Sequence, residues 1–311
     1  MVYSVDSRMK PPSLTPPHVA KVRTNRLSEA PSSATFKWER ERRDSEVAIH
    51  KLVRPDDLSV VFQPIVDMKT GAIFAHESLV RCRVKEIADP PTLFREAVRV
   101  NCSGRLGRMI REIAVPWCAG IPVFVNVHPS ELNEPWLVRP DDPIFQHDTD
   151  VYVEITESTP LTHFDRCIDV IKELRVRGGV HMVIDDLGAG YSNLRRIADL
   201  EPKVVKLDRD LIMGLDRSAR QRALVKGVVR LCEDLGATVV AEGIETEDEA
   251  MASMETGAHY GQGYLFAKPA FPIPGVYLPP FMQKARTSLE KPAVTVSASD
   301  SASRRGRTGR T

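Results

Sequence analysis

Paired cysteines are missing from this chain. The five it has, Cys82, Cys102, Cys118, Cys167 and Cys232, fall in no CxxC spacing, which argues against a zinc site and a disulfide framework and leaves reduced, buried thiols as their reading. Long apolar runs are missing as well. No stretch reaches the roughly 18 apolar residues of a membrane span, and residues 1–18 carry no apolar core of signal-peptide length. The expected location is the cytoplasm, with no membrane span. A net charge of only +1 supplies no field that would draw a nucleic acid polymer. What remains is an ordinary composition, 42% hydrophobic and 27% charged, with enough chain for one large core or two medium ones.

The ends read differently from the middle. Residues 1–35 are rich in Pro, Ser and Thr without apolar periodicity, the composition of a disordered arm. Residues 36–53 (FKWERERRDSEVAIHKLV) have the pattern of an amphipathic lead-in helix inside a 36–57 linker, with the mixed charges on a solvated face. Residues 286–311 are expected to be a disordered basic tail. Its SRRGRTGRT ending suits a solubilising tail, with a loose phosphate or membrane contact as the alternative.

Between the arms, over 58–285, apolar β-type runs alternate with helical patterns. Residues 60–67 (VVFQPIVD) and 72–80 (AIFAHESLV) flank a Met-Lys-Thr-Gly turn and predict an antiparallel hairpin. Helical patterns follow at 92–100 and 104–119, a strand at 122–128, a short helix or turn at 129–138 and a strand at 151–156. Then come a helix at 164–177, a strand entering Asp185, a strand at 203–208, a helix at 217–235, a strand at 237–241, a helix at 247–256 and a strand-like run at 258–266. About eight strands separated mostly by helices predict a single (β/α)8 TIM-type barrel, an α/β fold whose first strand runs antiparallel to the others.

A barrel of this kind carries its chemistry on the C-terminal face of the strands. The strand ends supply Glu77, Asn126, Glu154, Asp185 with Asp186, Lys206 and Glu242. Any one of them alone reads as a helix cap, and the adjacent aspartates before glycine read as a solvated turn. Their recurrence on strand after strand points instead to one site. Four or five carboxylates and an amide oxygen, without His or Cys, suit Mg²⁺ or Mn²⁺ better than zinc. So much negative charge suits two cations, which clamp a phosphoryl group for in-line displacement, so the residues point to phosphate-ester hydrolysis.

At these positions the sequence resembles the EAL-domain family of cyclic di-GMP phosphodiesterases, from about residue 58 to 269. The motifs are Gln63-Pro64-Ile65, Glu77-Ser78-Leu79-Val80-Arg81, Asn126-Val127-His128-Pro129, Glu154-Ile155-Thr156-Glu157, Asp185-Asp186-Leu187-Gly188-Ala189-Gly190-Tyr191-Ser192, Lys206-Leu207-Asp208, Ala241-Glu242-Gly243-Ile244-Glu245 and Gln262-Gly263-Tyr264. The resemblance implies hydrolysis of cyclic di-GMP to pGpG, with Glu77, Asn126, Glu154, Asp185, Asp186 and Glu242 binding two divalent metals, Mg²⁺ or Mn²⁺. It also implies that Lys206 lies beside the attacking water, that Gln63, Leu79, Arg81 and Gln262 hold the substrate, and that Glu157 steadies the glycine-containing loop after Asp186, an element linked to a homodimer. Ser78 stands where the motif has alanine, and Leu187 and Ala189 stand where Phe and Thr are usual, changes that touch loop closure and regulation rather than the ligands. The residues before the barrel lack the motif of the family's GGDEF partner domain, so a stand-alone EAL protein is expected. A degenerate domain that binds the nucleotide or a protein without cleaving it is the alternative; such members usually lack a metal carboxylate, and none is missing here.

Overall fold

The computed structural model describes residues 33–134, 136–156, 164–177, 179–188 and 198–283. The chain divides into two units, residues 1–41 and 42–311. In the first, residues 33–41 are helical and belong to α1 (Ser33–Leu52), which begins three residues ahead of the expected 36. The remainder of the expected arm and the whole basic tail lie outside the described residues. In the second unit, Ile49 of α1 and the following Val53 are buried in the core.

Eight strands close into a barrel in chain order: β1 (Leu58–Asp67), β2 (Ile73–Cys82), β3 (Val123–Asn126), β4 (Val151–Thr156), β5 (Val180–Leu187), β6 (Val204–Leu207), β7 (Thr238–Ala241) and β8 (Tyr260–Gly261). β1 is antiparallel to both its neighbours, β2 and β8, and every other pairing is parallel. A hairpin needs only a tight turn, whereas parallel strands need a crossover. The turn forms because Asp67 Oδ1 accepts the Lys69 and Thr70 amides at 2.9 and 2.7 Å and Gly71 takes φ +68°. The crossovers use α2 (Pro90–Arg99), α3 (Ser103–Ala114), α4 (Phe164–Val176), α5 (Arg209–Ile212), α6 (Ala219–Asp234) and α7 (Glu247–Glu255). Asp89 caps α2 by accepting the Thr92 amide at 2.9 Å, and Thr246 and Glu249 form a capping box on α7.

Several expected elements are shorter than the pattern suggested, two of them for a reason visible in the chain. The helix predicted over 104–119 ends at Ala114, and Val115–Cys118 is a 3-10 turn, because Pro116 has no amide to continue the α-helical ladder. The strand predicted over 258–266 is only Tyr260–Gly261. Beyond it, Gly263 packs so closely on the Ile244 backbone that a Cβ would lie 2.0 Å from its carbonyl oxygen, and Leu265 N–H bonds to Ile244 O at 3.0 Å. The chain leaves the sheet there to brace the loop after β7.

Inside the barrel, side chains alternate along each strand and stack in two layers. Ile65, Ala75, Phe124, Tyr152, Val183, Val204 and Val240 form an apolar cluster against which Phe74 and Tyr260 pack. The Phe124 and Tyr152 rings stack at 4.4 Å and those of Phe74 and Tyr260 at 3.9 Å. Two residues further along β2 to β8 come Glu77, Asn126, Glu154, Asp185, Lys206, Glu242 and Gln262. On β1 the order is reversed: Gln63 precedes Ile65 by two, as a strand of opposite direction requires. The outward faces bury the larger apolar core against the helices.

Candidate active site

The polar layer is a connected network. Gln63 Nε2 donates to Ala267 O at 3.0 Å, which aims its own oxygen at Gln262 Nε2, 3.1 Å away. Gln262 Nε2 also donates to Glu77 Oε2 at 2.6 Å, and Asn126 Nδ2 donates to Glu77 Oε1 at 3.1 Å. Lys206 Nζ sits amid four carboxylates, 2.6 Å from Glu154 Oε1, 2.7 Å from Glu242 Oε1, 3.1 Å from Asp185 Oδ1 and 3.5 Å from Glu77 Oε2. Glu77 lies mid-strand in β2 rather than at the strand's end. Only His76–Ser78 of β2 pair with β3, so the barrel rim passes Glu77 while the hairpin with β1 carries β2 onward to Cys82.

Alternation would turn one of two adjacent aspartates away from the ring. A bulge prevents this: the β5–β6 register shifts between Ile184 and Leu187, and Asp186 takes φ +59°, a left-handed conformation that Asp tolerates better than most residues. Ligand oxygens of Asp185, Asp186 and Glu242 consequently lie within 4.8 Å of one another. The sequence announced the pair but not the bulge, whose signal is the doubled acid itself.

Charge in the ring is unbalanced. Burial pushes Glu154 well above the ordinary carboxylate range, with repulsion from Glu77 and Asp185 adding to it and Lys206 opposing. Burial likewise lifts Glu242, to about 8, against the attraction of Lys206 and with repulsion from Asp185 and Glu77. Glu77 goes the other way: burial would raise it, but Lys206 and the hydrogen bonds from Gln262 and Asn126 outweigh burial and hold it below its usual value. Lys206 is held well above the usual ammonium range, because attraction to Asp185, Glu154, Glu242 and Glu77 overcomes its burial. Among the described residues, both Glu154 oxygens and Asp185 Oδ1 are buried without a directional hydrogen bond; Lys206 reaches Glu154 and Asp185 as an ion pair. Five carboxylates on one rim, four of them sharing one buried ammonium, with Glu154 Oε2 left without a hydrogen bond and an all-oxygen donor set, fit hard divalent cations.

A groove of about 670 Å³ opens beside the ring, with Glu77, Asn126, Asp185 and Asp186 at one end. Leu79 and Arg81 line it as well. Arg81 is exposed and donates to its neighbour's carbonyl, Val80 O, at 2.8 Å, so it belongs to the groove wall and not to the carboxylate ring. A smaller recess on the other side of Glu77 is lined by Gln63, Leu79, Glu242 and Gln262. Glu157 lies outside the described residues. The sequence reading did not single out His128, which lines the groove; its signal was a histidine two positions after Asn126.

Residues 46–269 match the EAL domain family. Over 226 residues the chain is 32% identical to the cyclic di-GMP phosphodiesterase RocR of Pseudomonas aeruginosa, covering 68% of this chain and 57% of RocR. It is 28% identical to the cyclic di-GMP phosphodiesterase NbdA of the same organism, covering 79% of this chain and 33% of NbdA. An uncharacterized protein of Mycobacterium tuberculosis is 30% identical over 75% of this chain and 39% of its own length, so the chain spans well under two thirds of these relatives. Among solved structures, the Klebsiella pneumoniae BlrP1 manganese/cy-diGMP complex superposes with a TM-score of 0.60 at 31% identity, over 70% of this chain and 57% of BlrP1. The reversed first strand, the ring of acids on one barrel rim and the match over most of the chain agree: this protein belongs to the EAL domain family.

Proposed function

We propose that the chain hydrolyses cyclic di-GMP to linear pGpG, with two divalent metals, Mg²⁺ or Mn²⁺, as its cofactors. The observation that carries this reading is the convergence of Glu77, Asn126, Glu154, Asp185, Asp186 and Glu242 on the rim beside the groove, every carboxylate present and Lys206 among them. The relatives named as cyclic di-GMP phosphodiesterases support the substrate. Bound divalent cations would polarise the phosphoryl oxygens and acidify a water. Those six residues are the proposed ligands.

The chain's own groups do the rest. Lys206, fixed by four carboxylates, presents a permanent positive charge that holds the attacking water and stabilises charge growing on the phosphoryl oxygens. Gln63 and Gln262 keep Glu77 oriented and offer amide contacts to the substrate, while Leu79 and Arg81 line its path. The apolar groove wall from α2 excludes water from the reacting phosphate. The proposed assembly is a homodimer coupled through the stretch after Asp186, with Glu157 as its tether; sedimentation velocity on wild type and Glu157→Ala tests this.

The deciding experiment is incubation of purified protein with cyclic di-GMP and Mn²⁺, followed by chromatography for pGpG. Accumulation of pGpG, absent with Glu77→Ala, is the expected result. Nucleotide binding without pGpG would make the chain a receptor instead.

A further inference from the structure

The segment that follows Asn126 is anchored on α3 by buried charges. Arg111 of α3 is 1% exposed, and its guanidinium forks between two acids, Glu131 and Asp142, that are 0% exposed. Nη1 donates to Glu131 Oε2 at 2.9 Å, while Nη2 and Nε donate to Asp142 Oδ2 and Oδ1 at 2.9 and 3.1 Å. The other oxygen of Glu131, Oε1, accepts the His128 backbone amide at 2.9 Å. The helix is shaped to admit these acids. A Cβ on Gly107, one turn before Arg111, would fall 2.0 Å from Glu131 Oε2. Gly104, a turn earlier again, leaves the same room for Glu134, whose Oε1 accepts the Gly104 amide at 3.0 Å.

A capping glutamate needs only the amide that it caps, and nothing in that role calls for burial beneath an arginine. Taking three charges out of water is costly, and a buried ion triad adds little net stability over apolar side chains of similar volume. What it does supply is geometry. The planar fork fixes the orientation of both acids, so Glu131 Oε1 holds one point of the backbone. That point lies two residues from Asn126, which packing does not fix: Asn126 is exposed, and its side-chain hydrogen bond among the described residues is the one from Nδ2 to Glu77 Oε1. The backbone leaving it is pinned twice in succession. Val127 N–H donates to Glu154 O at 2.9 Å, and His128 N–H donates to Glu131.

We infer that Glu131, fixed by Arg111, is a positioning residue for Asn126. By holding the His128 amide it sets where the Asn126 side chain stands among the carboxylates, and through that the affinity of the ring for divalent cations. Side chains that orient a ligand from outside the coordination shell commonly change metal affinity by about tenfold or more. The inference rests on Asn126 being a metal ligand, as proposed above, and extends the site to a buried ion triad outside the ring.

Removing one member of the triad would strand a buried charge, so the test compares two triple variants of the full chain, each without all three charges. Arg111→Met/Glu131→Gln/Asp142→Asn keeps a side-chain oxygen for the His128 amide, and Arg111→Met/Glu131→Leu/Asp142→Asn does not. Both are followed by thermal melts, by calorimetric titration with Mn²⁺ alone and by Mn²⁺ titration of cyclic di-GMP turnover. The pH is 8, above the value of about 7 to which burial lifts Glu131 against the attraction of Arg111. The variant with glutamine binds Mn²⁺ within about twofold of wild type, and the variant with leucine binds it about tenfold more weakly, with the half-maximal Mn²⁺ for turnover shifted alike. Gly107→Ala leaves every charge in place and suits a helix, but its methyl group displaces the Glu131 carboxylate, so it weakens Mn²⁺ binding in the same direction. Equal Mn²⁺ affinity in the two folded triple variants overturns the inference. Should neither fold, Gly107→Ala decides, and wild-type affinity in that variant overturns it. Asn126→Ala separates the two levels: if it binds Mn²⁺ as wild type does, the assignment of Asn126 as a ligand falls, and the inference with it.

Discussion

Gln262 and Glu77 meet across the barrel seam, the amide of the first donating to Oε2 of the second at 2.6 Å. That bond orients a proposed metal ligand and helps keep it ionised. Gln262→Ala should therefore raise the Mg²⁺ concentration for half-maximal turnover by about tenfold, the usual effect of losing a group that orients a ligand. Metal titrations of turnover check this; an unchanged midpoint would show that Glu77 needs no help.

Glu77→Ala should abolish turnover while leaving the fold intact. Because Lys206, Gln262 and Asn126 hold Glu77 ionised, its loss leaves two amide donors without their acceptor, so the metal-free variant should melt lower than wild type in a single cooperative transition. Calorimetry and pGpG formation give the two readouts. Full activity in the folded variant would remove Glu77 from the site.

Lys206 is the cation that makes the metal-free ring tolerable. Lys206→Met should cost the metal-free protein about 3–5 kcal/mol, because buried charges lose their partner, and added Mn²⁺ should recover much of that loss. In the loaded enzyme, kcat should fall far more than substrate affinity, since the interaction strengthens in the transition state. Denaturant melts with and without metal decide the first claim, and steady-state kinetics the second.

Asp186 separates stability from activity. Asp186→Gly relaxes a backbone held at φ +59° while deleting a carboxylate, so the variant should melt higher than Asp186→Val yet lose turnover. Asp186→Val should lose both, since a β-branched residue resists that conformation. Thermal melts beside activity assays distinguish the two.

The pH response follows from Glu242 and Glu154. Their folded pKa values are raised, Glu242's to about 8, so the folded state holds protons that the unfolded state releases near pH 4.5. The stability they contribute is complete below that value and is lost as pH rises through each raised pKa, about 8 for Glu242. Glu77, shifted downward, acts in the opposite sense but below its ordinary value, outside this window. Metal-free protein should thus lose stability between pH 5 and 8, measured by denaturation at fixed ionic strength, while metal-loaded protein should show a flatter profile and tighter metal binding as pH rises.

Much of this was legible because a strand alternates. In Phe124–Val125–Asn126, Tyr152–Val153–Glu154 and Val204–Val205–Lys206 a polar residue stands two positions after an apolar one that faces the barrel axis, and that spacing is written in the sequence. Gln63 obeys the same rule backwards, which becomes visible only once β1 is known to run the other way. Asp186 breaks the rule through a bulge, a backbone feature that alternation does not encode. The central place of Lys206 among four acids depends on how the strands are staggered, and stagger comes from closure of the barrel. His128 reaches Ser103 and Glu134 through Ser130, contacts that no local pattern connects.

The seam between the first and last strands also decides when a site can exist at all. Because the barrel closes, β1 lies beside the last strand, Val66 and Asp67 pairing with Gly261 and Tyr260, and Gln63 meets Gln262 across 199 residues of chain. A growing or truncated polypeptide that stops short of Gln262 already carries all five acids and Lys206 but has no partner to close the circle and no amide to turn Glu77. Barrel closure is therefore a check on completeness, in which the last strand to leave the ribosome converts a row of mutually repelling acids into an ordered ring.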